Sequence, residues 1–151
     1  MKRMDINQAD AAIRSSGIIA VARGAFGRDA LAGMAEILCQ AGITALEETL
    51  NSPAAPDLIR WLSDAMGDRM LIGAGTVLTA QQVDEAVAAG AQFLVAPGYD
   101  RAAVAQARRA QVLFIPGVLT PTEVTLAAAE GCRLLKLFPA GTVGPSYLKA
   151  L

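Results

Sequence analysis

A lysine interrupts an otherwise apolar run, Leu134-Leu135-Lys136-Leu137-Phe138, followed by Pro139-Ala140-Gly141. An amine held among apolar neighbours avoids the cost of desolvation by giving up its proton, and the neutral form is the nucleophile. Such a lysine is suited to attack a ketone and form a Schiff base. A lysine at a strand end instead carries its charge out to water along its own stem, and the run by itself leaves both readings open.

Other residues that suit chemistry recur where extended runs give way to loops. Glu47 supplies a carboxylate for proton transfer, and Arg23 a fixed cation with the geometry to hold a carboxylate. Glu48 follows Glu47 directly, and strand alternation sends the two side chains to opposite faces, so only one points inward. Gly73-Ala74-Gly75-Thr76, Ala96-Pro97-Gly98 and Pro116-Gly117 shape close, rigid approaches to a small ligand, or serve simply as turns. Phe138 reads most simply as a core aromatic. Histidine is absent, which removes Ser-His-Asp and Cys-His mechanisms and the usual zinc sites.

Positioning these groups requires a regular frame. Extended runs are expected at 18–21, 45–50, 71–73, 93–96, 112–115 and 134–138, and helices at 28–41, 55–66, 80–89, 101–110 and 121–130. A helix near 6–14 stands outside this alternation. Gly42, Gly90 and Gly131 each follow a helical run, as left-handed residues closing it. Thr120-Pro121-Thr122-Glu123 combines a capping box with proline in the first turn, and Thr79 starts a helix in the same manner.

Strands recur roughly every 20–27 residues, the spacing of a βα repeat. Near-continuous apolar strands alternating with helices predict a parallel sheet covered by helices. An open doubly wound sheet and a (β/α)8 barrel both fit, but no Gly-x-Gly-x-x-Gly follows the first strand, which favours the barrel. Six units are present where a barrel has eight. The expectation is therefore one partial TIM-barrel domain over 1–151, lacking two C-terminal βα units of roughly 45 residues together.

The chain has 151 residues, 54% hydrophobic and 18% charged, with a net charge of −1, and is expected to fold around one core. The basic residues do not cluster, Arg108-Arg109 reading as a solvated helix face, so no nucleic-acid partner is expected. No apolar run approaches a membrane span, and the charged N-terminus lacks the apolar stretch of a signal peptide. A cytoplasmic location is the expectation. Cys39 and Cys132 read as buried free thiols.

Taken together, Arg23-Gly24, Leu46-Glu47, Thr49-Leu50-Asn51-Ser52-Pro53, Leu71-Ile72-Gly73-Ala74-Gly75-Thr76-Val77-Leu78, Pro116-Gly117, Leu135-Lys136-Leu137-Phe138-Pro139 and Gly144-Pro145-Ser146-Tyr147-Leu148-Lys149 make a pattern. It resembles the 2-keto-3-deoxy-6-phosphogluconate (KDPG) and 2-keto-3-deoxy-6-phosphogalactonate (KDPGal) aldolases across nearly the whole chain. Leu-Asn-Ser-Pro after the second strand is closer to the galactonate branch. The resemblance implies a (β/α)8 fold, a homotrimer and a class I mechanism with neither metal nor cofactor.

It further implies that Lys136 forms the Schiff base and Glu47 is the general acid and base. Arg23 and Thr76 would contact the pyruvate-derived end of a phosphorylated keto-deoxy sugar acid, with Pro97 and Phe138 lining the pocket and Gly75 among the substrate-binding residues. KDPG or 4-hydroxy-2-oxoglutarate are alternative substrates, and a non-catalytic remnant acting only through association is another reading. Two departures stand out. Glu48 occupies a position that is usually apolar in the family, and the family's phosphate loops follow strands seven and eight.

Overall fold

The computed structural model describes residues 4–151; the charged start, Met1-Lys2-Arg3, lies outside them. Five parallel strands form the main sheet in sequential order: β1 (Ala20–Ala22), β2 (Ala45–Thr49), β3 (Leu71–Gly75), β4 (Phe93–Val95) and β5 (Leu113–Ile115). A parallel pair, β6 (Gly117–Val118) and β7 (Lys136–Leu137), continues beyond it. Helices α2 (Arg28–Gln40), α3 (Ala55–Met66), α4 (Ala80–Ala88), α5 (Arg101–Arg109), α6 (Pro121–Ala129) and α7 (Ala140–Ala150) alternate with the strands, and α1 (Ile6–Ser16) precedes them. This is the α/β barrel-type frame anticipated from the repeat, with helices following the parallel strands except at β5, which runs directly into β6.

The punctuation works as read. Thr120 and Glu123 form the capping box that starts α6, and the Thr79 hydroxyl accepts the Gln82 N–H at 3.2 Å to start α4. Gly42, Gly90 and Gly131 take φ of 80°, 101° and 85° just past their helices. Four helices end one residue sooner than expected, because Ala41, Ala89, Ala110 and Glu130 serve as C-caps. After Ala110 the left-handed residue is Gln111, at φ 52°, a position where glycine is the usual choice.

The strands depart from expectation in instructive ways. The first lies at 20–22, not 18–21, and is an edge: Ile18 and Val21 are each about half exposed. The third reaches Gly75, two residues further than expected. The fifth is split, because Pro116 has no N–H to continue a ladder. β5 pairs with β4 before it, and β6 pairs with β7 after it. The sixth shrinks from 134–138 to Lys136–Leu137, since its partner β6 offers only two residues.

Two apolar layers flank the wall of strands. On the helix side, Leu46, Ile72, Ala74, Leu94 and Phe114 pack against Leu31, Ile59, Leu62, Val83 and Val104. On the opposite side, Ala45, Leu71, Phe93, Val95, Leu113 and Ile115 pack against Ala9 and Ile13 of α1. The helix outside the repeat thus closes the end of the sheet where the strands begin. Its start is fixed by a capping box between Asp5 and Gln8, with bonds of 2.8 and 3.0 Å.

Candidate active site

Register and alternation decide which side chains meet. Val21 pairs with Glu47, and Glu47 with Gly73, so their side chains share the inner face of the sheet. A cavity of about 300 Å³ opens there, lined by Ile13, Ile19, Val21, Glu47, Val95, Ile115, Leu134, Leu135 and Lys136. One carboxylate and one amine therefore stand in a wall that is otherwise aliphatic. Lys136 and Glu47, selected from the sequence, are brought to the same cavity.

The setting of Glu47 is severe for a carboxylate. It is 2% exposed, and its Oε2 has no hydrogen-bond partner among the described residues. Burial pushes its carboxyl above the ordinary carboxylate range, while the nearby positive charges of Lys136 and Arg23 draw it part of the way back. Gly75 makes room for it: a Cβ built there would lie 2.7 Å from Glu47 Oε1. Gly73, two residues earlier on the same face, likewise yields to the Phe93 ring, at 2.5 Å from the same construction.

Lys136 is half-buried, with its Nζ 4.9 Å from the centre of the Phe138 ring. Its backbone N–H donates to the Pro116 carbonyl at 2.9 Å, and Phe138 N–H to the Val118 carbonyl at 3.1 Å. The lysine thus belongs to a strand two residues long, not to the buried apolar strand that its neighbours suggested. Phe138 is 41% exposed, so it lies outside the core; its face serves the lysine instead.

Arg23, Thr76, Pro97 and Phe138 do not line the cavity. Each follows the C-terminal end of a strand: Arg23 after β1, Thr76 after β3, Pro97 after β4 and Phe138 after β7. In a βα frame this rim is where reacting groups gather. Thr76 holds φ of 57°, in the left-handed region that threonine rarely enters, so its surroundings impose the shape of that loop. The Pro97 backbone is approached so closely by Gly117 that a Cβ there would lie 2.2 Å away.

Sequence reasoning missed two features. Glu48 is as buried as Glu47, at 0% exposure, because helices cover the face to which alternation sends it. Burial raises its carboxyl and the Ser52 hydroxyl offsets this in part, yet among the described residues neither oxygen has a partner in full hydrogen-bond geometry. The second feature is a hydroxyl bridge. Ser52 Oγ accepts the Gly24 N–H at 3.1 Å and lies 3.0 Å from Thr49 Oγ1, joining the loops after β1 and β2. The two cysteines are free and half-buried, less enclosed than their type suggested.

The family model described as "Aldolase: KDPG and KHG aldolase" matches residues 9–151. The 2-dehydro-3-deoxy-6-phosphogalactonate aldolase of Escherichia coli K12 is 40% identical over 134 residues, which are 89% of this chain and 65% of that protein. The 2-dehydro-3-deoxy-phosphogluconate aldolase of Pseudomonas aeruginosa is 42% identical over 118 residues, 78% of this chain and 53% of that one. The KDPG aldolase of Legionella pneumophila, solved with pyruvate captured as a covalent carbinolamine, superposes with a TM-score of 0.85 at 35% identity, covering 93% of this chain and 68% of its own. The chain thus spans about two thirds or less of the curated relatives it matches. With the motifs, the parallel frame and the matched length in agreement, the chain belongs to the KDPG and KHG aldolase family.

Proposed function

We propose that this chain carries the Schiff-base half of a class I aldolase acting on 2-keto-3-deoxy-6-phosphogalactonate. The observation that carries the reading is the shared cavity of Lys136 and Glu47, an amine and a buried carboxylate in an aliphatic wall. The Lys136 amine attacks the C2 ketone, forming a carbinolamine that loses water to give a protonated imine. The C4 hydroxyl then gives up its proton as the C3–C4 bond breaks, and the bonding electrons flow into the imine as an enamine. Glyceraldehyde 3-phosphate leaves. Protonation at C3 and hydrolysis of the imine release pyruvate and restore the amine.

Glu47 moves these protons, directly or through one water. A carboxyl raised by burial is better matched to that task near neutral pH than an ordinary one. Arg23 binds the substrate carboxylate with Thr76 and Gly75, and Pro97 and Phe138 complete the rim. The Leu50-Asn51-Ser52-Pro53 loop supports the galactonate branch, as does the Escherichia coli relative. The carbinolamine held by the Legionella relative supports the covalent step. A homotrimeric assembly and a cytoplasmic location belong to the same reading, as does the single partial barrel domain over 1–151.

The test is to incubate the chain with pyruvate and borohydride and measure intact mass. An adduct that is lost in Lys136→Ala supports the mechanism. A folded chain that forms no adduct overturns it.

A further inference from the structure

The loops after β1 and β2 are joined at a single buried hydroxyl. Ser52 is 7% exposed, although Asn51 and Pro53 on either side are exposed. Its backbone N–H donates to the Thr49 carbonyl at 2.8 Å, which tucks the side chain back over the end of β2. From there Ser52 Oγ meets Thr49 Oγ1 at 3.0 Å and accepts the Gly24 N–H at 3.1 Å. A hydroxyl has one proton and two lone pairs, so it can serve both partners at once.

What this bridge holds is the turn that begins with Arg23. The ladder pairs Val21 with Glu47 and Ala22 with Glu48, so Arg23 comes next, beside Thr49. Continuing the alternation puts Arg23 on the face of Val21, the face that lines the cavity. Gly24 then turns the chain at φ 133°, a conformation that L side chains rarely adopt. Glycine alone leaves such a turn free to take several shapes. The Ser52 bond selects one.

We propose that Ser52 is a positioning residue: its hydroxyl ties the Arg23–Gly24 turn to the end of β2 and so sets Arg23 at the cavity mouth, aimed at the carboxylate of a 2-oxo acid. The inference rests on the aldolase reading. It assigns a role to a residue that touches neither the amine nor the substrate. It also distinguishes the Ser52 hydroxyl from an ordinary loop staple, because its effect runs through Arg23.

Two measurements on the same variants decide it. Hydrogen–deuterium exchange of the peptide over 22–27 reads the tether. The pyruvate dependence of borohydride-trapped adduct reads the consequence, as half-saturating concentration and as plateau. Ser52→Ala is expected to speed exchange in that peptide and to raise the half-saturating pyruvate about five- to tenfold, with the plateau unchanged. Thr49→Val keeps the bond to Gly24 and is expected to stay within about twofold. Adding Ser52→Ala to Arg23→Leu is expected to produce no further rise, since both act on one path.

Unchanged exchange in Ser52→Ala overturns the tether. So does a Thr49→Val chain that behaves like Ser52→Ala. A fall in plateau at constant half-saturation, or full multiplication of effects in the double variant, reduces Ser52 to a structural role and overturns the proposal. A wild-type chain that gives no adduct overturns the aldolase reading itself, and with it the carboxylate role of Ser52, whatever the exchange shows.

Discussion

The Glu47 carboxylate is seated over the bare α-carbon of Gly75: a methyl group there would come within 2.7 Å of Oε1 and 3.0 Å of Thr49 Cγ2. The neighbouring strand gives up a side chain so that the carboxylate can reach the cavity. Gly75→Ala must push aside the far end of a flexible side chain, which costs about 1 kcal/mol of stability. If Glu47 has the proposed role, the effect on chemistry is expected to be larger, because a displacement of about 1 Å at a catalytic group lowers rates by up to 100-fold. The rate of pyruvate adduct formation, set beside the melting temperature, separates the two effects.

Gly73 is two residues away on the same strand face and predicts the reverse. The atoms a Cβ would meet belong to the Phe93 ring, which is fully buried and has no room to retreat. Gly73→Ala is expected to cost about 2–3 kcal/mol, seen as a lower denaturant midpoint. Wherever the variant is folded, its adduct should form at close to the wild-type rate. A variant as stable as wild type contradicts this assignment.

The charges around Glu47 set a pH dependence whose direction follows from the site. Burial raises its carboxyl, and the positive charges of Lys136 and Arg23 restrain that rise. Arg23→Leu removes one restraint, so Glu47 titrates at still higher pH. If the ionised carboxylate is the working base, the acid limb of the pH–rate profile moves to higher pH in the variant. A limb that stays in place shows that Glu47 does not govern it.

Glu48 predicts a stability effect without a catalytic one. Its carboxyl lies above the ordinary value of 4.5 in the folded chain, because burial penalises the charge. The folded state therefore binds this proton more tightly than the unfolded state does. That contribution is complete below pH 4.5 and is lost as pH rises through the folded value. Glu48→Gln cannot lose it. The melting temperature of the variant is expected to gain on wild type as pH rises from about 4 to 8.

Much of this was legible because local rules acted alone. Proline, glycine and capping residues bounded helices within a residue of where the pattern placed them, Thr120 at a start and Gly90 and Gly131 just past the ends. Alternation separated Glu47 from Glu48 without saying which faced inward, and it was the family resemblance that singled out Glu47 with Lys136, which one cavity joins. Illegible features depended on contacts distant in sequence. Nothing near Ser52 announces Gly24, which lies 28 residues earlier. Glu48 looked like a charge sent to the other side, but a wall covered on both faces has no exposed side to receive it. Phe138 read as core because its neighbours are apolar, yet the shortness of β7 leaves it at the rim.

Pro116 has a consequence for how the molecule tolerates change. The chain switches partners there, pairing with β4 on one side and β7 on the other, and Lys136 takes its bearing from the Pro116 carbonyl. A ladder two residues long resists sliding poorly, and a slip of one residue would turn the amine away from the cavity. On the β6 side Gly117 is held in place, since it rests on the Pro97 backbone with no space for one more carbon. The position of the Lys136 amine therefore depends on a contact between β6 and the loop after β4. A protein engineer who wished to relocate the amine would have to recut Gly117 and Pro97 before touching the lysine.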